Sequence, residues 1–242
     1  MSTAIFIKSY AKDFRWLNYC LKSICKYVTG YSEVVLMLDE GSNTELHHLT
    51  ELPNKIRIEW ISKEGDGYIF QQYCKLVAHH YTKADKIMFV DSDFIFDKYL
   101  DLSTLPEKTE ILMTDYSKVG DAICWKECTE QFLKAQVEFE FMRRLPLVFN
   151  RTTLEAIESF QPNLKEIVLS SIRFSEFNVM GAFAYIYERD NYSFVNTDDW
   201  VFIEPLGVQL WSWACCNSDN PLHLVECEKA RKCIKELFNE EI

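Results

Sequence analysis

Ala84-Asp85-Lys86-Ile87-Met88-Phe89-Val90-Asp91-Ser92-Asp93 decides how this chain is read. From Ile87 to Val90 the run is apolar without a break, as in a strand of parallel sheet covered by helices on both faces. Two carboxylates one residue apart then close it, at the strand end where such sheets place their ligand-facing loops. Carboxylate and phosphate oxygens are the donors that Mg²⁺ or Mn²⁺ prefers, and an ion between them can bridge a departing diphosphate. The duller reading is a solvated acidic loop. Phe94-Ile95-Phe96, directly afterwards, is too apolar for a loop exposed on all sides and favours an ordered site.

Working toward the N-terminus, the same unit recurs. Residues 4–8 form a short apolar strand, and Phe14, Leu17, Leu21, Ile24, Cys25 and Val28 recur at helical spacing over residues 13–28. Gly30 ends that helix. Residues 34–38 are a fully apolar strand leading to Asp39-Glu40-Gly41-Ser42, and residues 55–60 alternate as another. Gly65-Asp66-Gly67 leads into a helix over about 68–81, before the strand 86–90. Strands alternating with helices, joined by right-handed crossovers, predict a mostly parallel central sheet flanked by helices in an α/β fold.

Beyond Asp93 the rhythm loosens. A strand is expected at 110–114, helices at 130–144, 151–160, 175–187 and 226–238, and short strands at 192–195, 200–203 and 208–213. No repeat, low-complexity stretch or composition break divides the chain. A single domain over residues 1–242 is expected, with a smaller acceptor-side region in its C-terminal half.

Bulk composition agrees. The 242 residues are 48% hydrophobic, enough for one large core, and the formal charge of −11 argues against a nucleic-acid surface. No segment approaches the ~18 to 20 continuous apolar residues of a membrane span. Nine cysteines are too sparse for a disulfide scaffold, and no secretory leader precedes the first strand. A cytoplasmic compartment with reduced thiols is expected.

The stretch 84–93 and its neighbours resemble glycosyltransferases of the GT-A fold, a Rossmann-like member of the nucleotide-diphospho-sugar transferases whose hallmark is Asp-x-Asp after a core strand. Gln71-Gln72-Tyr73-Cys74-Lys75-Leu76 on the preceding helix, and Ile5-Phe6-Ile7-Lys8-Ser9-Tyr10 with Leu21-Lys22-Ser23-Ile24 at the start, carry the rest of the likeness. It covers residues 4–96 well and the remainder in outline.

The resemblance implies a nucleotide-sugar-binding half at 1–96 and an acceptor-side half with the C-terminal helix at 97–242. Asp91 and Asp93 would hold Mn²⁺ or Mg²⁺, with His223 as a third ligand. Ser9, Tyr10 and Asp39 would line the base and ribose. Lys75, with Gln71 one turn before it, would approach the nucleotide alongside Asp91. The expected reaction moves a sugar from a nucleoside-diphosphate donor to an acceptor hydroxyl, on a glycan or another hydroxyl acceptor.

Glu176, after Ser175, is the candidate base for that hydroxyl, and Asp199 with Asp198 is the runner-up. Each has a plainer role. Glu176 in a first helical turn is favoured by the helix dipole, Lys75 could be a solvated surface lysine, Tyr10 could pack, and His223 could be a satisfied core or surface histidine. Where the family often carries a second carboxylate, residue 177 is Phe. Trp211 and Trp213 would share a strand face, against acceptor or core. His47-His48 and His79-His80 read as structural or surface pairs. Two other classes remain open: a nucleotidyltransferase acting on sugar phosphates, for which a glycine-rich loop with a basic residue is missing, and a glycan- or nucleotide-binding module without turnover.

Overall fold

The computed structural model describes residues 1–142, 145–197, 205–210 and 221–240. The chain opens with β1 (Thr3–Ser9), α1 (Phe14–Tyr27), the two-residue β2 (Val28–Thr29), β3 (Glu33–Asp39) and β4 (Ile56–Ile61). Then come α2 (Gly67–Leu76), β5 (Lys86–Phe89), β6 (Phe94–Phe96), β7 (Leu100–Asp101) and β8 (Thr109–Asp115). The later part holds α3 (Lys126–Leu133), β9 (Phe139–Glu140), β10 (Leu147–Asn150), α4 (Arg151–Phe160), α5 (Leu164–Leu169) and α6 (Glu176–Tyr187). β11 (Tyr192–Asn196), β12 (Gly207–Gln209) and α7 (Pro221–Phe238) complete it.

A five-stranded sheet in the order β10-β5-β1-β3-β4 forms the centre. β1 pairs in parallel with both β3 and β5, β3 pairs in parallel with β4, and only β10 runs antiparallel, against β5. This is the mostly parallel, helix-flanked α/β architecture expected of the sequence. The chain leaves β1 toward β3 on one side, whereas β5 lies on the other. β1 and β5 therefore flank a topological switch, where the carboxyl ends of neighbouring strands part and leave room for a ligand.

Alternation along β1 builds two cores. Ile5 and Ile7 face α1, packing with Phe14, Leu17, Leu21 and Ile24; Phe6 faces the other layer, with Phe70, Phe89 and Phe177. Each fully buried side chain of this kind contributes roughly 1.5–3 kcal/mol of transfer free energy. A third cluster joins Trp16 and Tyr19 of α1 to Ile95, Leu210 and Ile234, seating α7 beside β6.

Three segments depart from the periodicity. Residues 130–144 are not one helix: α3 ends at Leu133, and Lys134 caps it in the left-handed region at φ 53°. Glu130 then accepts the N–H of Val137 through its side chain, and Val137, Phe139 and Phe141 alternate into the core through β9. An apolar period of two wins over helical propensity there. Between β3 and β4 the crossover is 3-10 turns over Glu40–His48 rather than an α-helix, with Ser42 its one buried residue. That segment has too few apolar positions to cover a sheet face. Likewise the helix expected over 68–81 stops at Leu76 and continues as the 3-10 turn Ala78–Tyr81.

Arg143, Arg144, Asp198, Asp199, the strand expected at 200–203, and Trp211 and Trp213 lie outside the described residues. The backbone of His223 belongs to α7; its side chain lies outside the description as well.

Candidate functional site

The site forms where β5 ends. Asp66 caps α2, its Oδ1 accepting the N–H groups of Tyr68 and Ile69 at 2.9 and 3.1 Å. The cap fixes the phase of the helix, so that Tyr68, Gln72 and Lys75, at i, i+4 and i+7, share the face toward Asp91 and α6. Lys75 Nζ donates to Asp91 Oδ1 at 2.7 Å and to Glu176 Oε1 at 2.8 Å. Its side chain is 5% exposed, Glu176 6% and Asp91 30%, so the lysine and the glutamate are sunk while Asp91 reaches solvent.

Burial by itself would lower the pKa of Lys75; Asp91 and Glu176 outweigh it and hold the lysine above its ordinary value. Beneath the ammonium lies the ring of Phe177, 4.5 Å from Nζ to its centroid. A cation over an aromatic face is attracted by the ring quadrupole, which accounts for an aromatic residue at this position.

Glu176 opens α6. Ser175 caps that helix by accepting from Asn178, and Gln72 Oε1 accepts the Glu176 N–H at 3.2 Å. Asn178 Oδ1 in turn takes the N–H of Phe141 at 2.8 Å. Two free donors of the first helical turn are thus satisfied, the Asn178 N–H by the cap and the Glu176 N–H by Gln72 of α2, and α6 is anchored where its carboxylate meets Lys75. Gly181 allows the close approach: a Cβ there would stand 2.3 Å from the Cβ of Phe141.

Asp93 is 7% exposed and accepts from Gln209 Nε2, while its carbonyl takes the N–H of Leu210 at 3.0 Å. Ser92 Oγ donates to Asp13 Oδ2 at 3.3 Å. Below the loop, Cys20 is pushed well above the usual thiol range by burial and then by Asp93 and Asp91, so it is a neutral floor rather than a nucleophile. Tyr68, half exposed at the rim, is raised to about 12 by desolvation first and the Glu176 carboxylate second.

Across the switch, the Lys8 ammonium pairs with Asp39 Oδ1 at 2.6 Å and donates to the Ser9 carbonyl at 3.0 Å. Asp39 is therefore committed to an ion pair from β1. Ser9 Oγ is buried with no hydrogen-bond partner among the described residues. Tyr10 is 42% exposed, and the next N–H, of Ala11, donates to Ser42 Oγ at 2.9 Å, tying the loop after β1 to the one after β3.

Of the residues singled out in the sequence, Lys75, Asp91 and Glu176 meet directly, Asp93 sits two residues on, and Ser9 and Asp39 share the Lys8 network. Gln71 is half-buried and not among the contacts; Gln72 is the one engaged. Both precede Lys75 at helix-neighbour spacing, so the sequence offers no choice between them. Lys8, Tyr68 and Gln209 also escaped the sequence reading, because each is recruited from a separate element.

Asp91 and Asp93 supply hard oxygen donors suited to Mg²⁺ or Mn²⁺. Among the described residues they do not assemble with a third His, Cys, Asp or Glu into a cluster with ligand atoms within 4.8 Å; two other groups do, Glu45 with His47 and His48, and His79 and His80 with Glu158. No described helix is long and apolar enough to cross a membrane, and Cys124 and Cys128 are free thiols. No protein-family model matches the sequence, and no curated protein matches it significantly.

Proposed function

We propose that the protein is a metal-dependent glycosyltransferase of the GT-A type, moving a sugar from a nucleoside diphosphate to an acceptor hydroxyl. What carries the reading is the Lys75 bridge. Three residues chosen from separate stretches for donor, metal and base roles meet at 2.7 and 2.8 Å, at the sheet's switch point.

Asp91 and Asp93 would hold Mn²⁺ or Mg²⁺, each steered through one oxygen by a nitrogen donor, Lys75 or Gln209. The ion would supply charge neutralisation for the departing diphosphate. Asp91 and Glu176 share the single Lys75 ammonium, so negative charge is in excess beside the solvent-reaching Asp91, which favours a divalent cation there. Ser9 and Tyr10, with the Lys8–Asp39 pair, form the wall against which the nucleoside would lie. Lys75 positions Asp91 and Glu176 relative to one another, and the Glu176 carboxylate takes the proton of the acceptor hydroxyl.

The acceptor would approach past the α5–α6 connection. A groove of about 710 Å³ there is lined by Gln131, Gln161, Ser171, Arg173 and Phe174. Its amide, hydroxyl and guanidinium groups suit a polyhydroxylated acceptor.

Incubation with a set of nucleoside-diphosphate sugars and Mn²⁺, with and without EDTA, tests the reading: metal-dependent release of nucleoside diphosphate is expected. Retained nucleotide binding with no release from any donor would favour the binding module. A folded Asp93→Ala protein that turns over donor as fast as the parent would sink the metal role.

A further inference from the structure

Directly after α2, the 3-10 turn Ala78–Tyr81 carries two neighbouring imidazoles to one carboxylate of α4. His79 Nε2 and His80 Nε2 each lie 2.9 Å from Glu158 Oε2, and His80 Nε2 is 3.1 Å from Oε1 as well. The two rings lie against each other with centroids 4.1 Å apart and planes tilted by 37°. We propose that His79, His80 and Glu158 form a second cation site, specific for a borderline ion such as Zn²⁺, which pins the turn after α2 to α4.

The donor set is two nitrogens and one oxygen, the kind that Zn²⁺ takes in four-coordinate sites with a water in the remaining position. Donors around a tetrahedral ion at ~2.0–2.1 Å stand ~3.3 Å apart, so each imidazole nitrogen, now 2.9 Å from Glu158 Oε2, would part from that oxygen by only ~0.4 Å to admit one. The group is asymmetric in a useful way. The side chain of His79 is 4% exposed and fixed by packing, whereas His80 at 54% and Glu158 at 39% leave an open side for the ion to enter and for its water.

A neutral imidazole is the form that binds metal. Glu158 comes from a different element than the histidines, so closure of the site would join two segments. The Glu45, His47 and His48 group lacks both properties: it lies on one turn and its members are half-buried or exposed.

Metal-stripped, untagged protein titrated with Co²⁺ tests the site. One equivalent should give the visible d–d band of a four-coordinate ion without a thiolate charge-transfer band, and Zn²⁺ should displace it. Asp93→Ala should keep the band, which separates this site from the one at β5. His80→Ala and Glu158→Gln, both at accessible positions, should each weaken binding by at least ~10-fold. Absence of the band in the parent, or its persistence in both variants with their circular dichroism unchanged, overturns the proposal.

Discussion

Gln72 accepts the backbone N–H of Glu176 at 3.2 Å, a contact that spans 104 residues of sequence and fixes the first turn of α6 against α2. Replacing Gln72 by Leu leaves that buried N–H without an acceptor, a loss of about 1–3 kcal/mol. The neighbouring Gln71→Ala should stay within about 0.5 kcal/mol of the parent, as surface changes usually do. Urea denaturation of the two proteins separates them, and near-equal midpoints would refute the assignment.

Lys75→Met tests the bridge. It keeps the length of the side chain and strands Asp91 and Glu176 without their cation, so a destabilisation of about 3–5 kcal/mol is expected. Mn²⁺ should restore part of that stability, since the site then holds uncompensated negative charge. A thermal scan with and without Mn²⁺ reads both effects, and a Lys75→Met protein as stable as the parent would show that the bridge carries little.

Gly181→Ala should cost about 1–3 kcal/mol, because the added methyl overlaps the Cβ of Phe141 and α6 or β9 must shift. The displacement also moves Glu176, on the same helix. Donor turnover should therefore fall by more than the change in folded fraction accounts for, a difference visible when activity is measured well below the melting temperature.

Acid should loosen the C-terminal helix. Glu240 is held below its ordinary value of 4.5 by the hydrogen bond from Lys22 foremost, against some desolvation, with the Tyr19 hydroxyl adding. A carboxylate depressed by folding contributes stability that is fully present above pH 4.5 and is lost as pH falls through its lowered value. Hydrogen exchange in α7, corrected for intrinsic rates, should accelerate over that acidic interval in the parent, and Glu240→Gln should exchange faster already at neutral pH. An α7 whose protection is unchanged in both conditions would contradict this role.

These expectations show where local sequence is sufficient. The strand before Asp91 was legible because every residue from Ile87 to Val90 is apolar, and the start of α6 because Ser175 is a capping residue placed before an apolar run. The choice of Gln72 over Gln71 was not, since both fall within one turn of Lys75 and only the tilt of α2 against α6 decides. The turn at Lys134 depends on a side-chain bond from Glu130 to the backbone of Val137, which periodicity cannot register. Nor could Lys8 be paired with Asp39, a contact set by the register of β1 against β3. The metal role proposed for Asp91 and Asp93 rests on their position at a strand end and on the resemblance.

β4 stands last in the central sheet; Arg57 and Glu59 share one of its faces, and the partly exposed Trp60 lies on the other. Arg57 is held to the neighbouring β3 by Glu33 at 3.2 Å and also reaches the Tyr81 carbonyl. Charges fixed along an outer strand discourage a second chain from adding itself edge to edge. With Arg57 and Glu59 exchanged for Val and Thr, the same sheet would present a sticky ribbon, and self-assembly into fibrous aggregates would become the hazard against which this otherwise monotonously hydrophobic sheet is guarded.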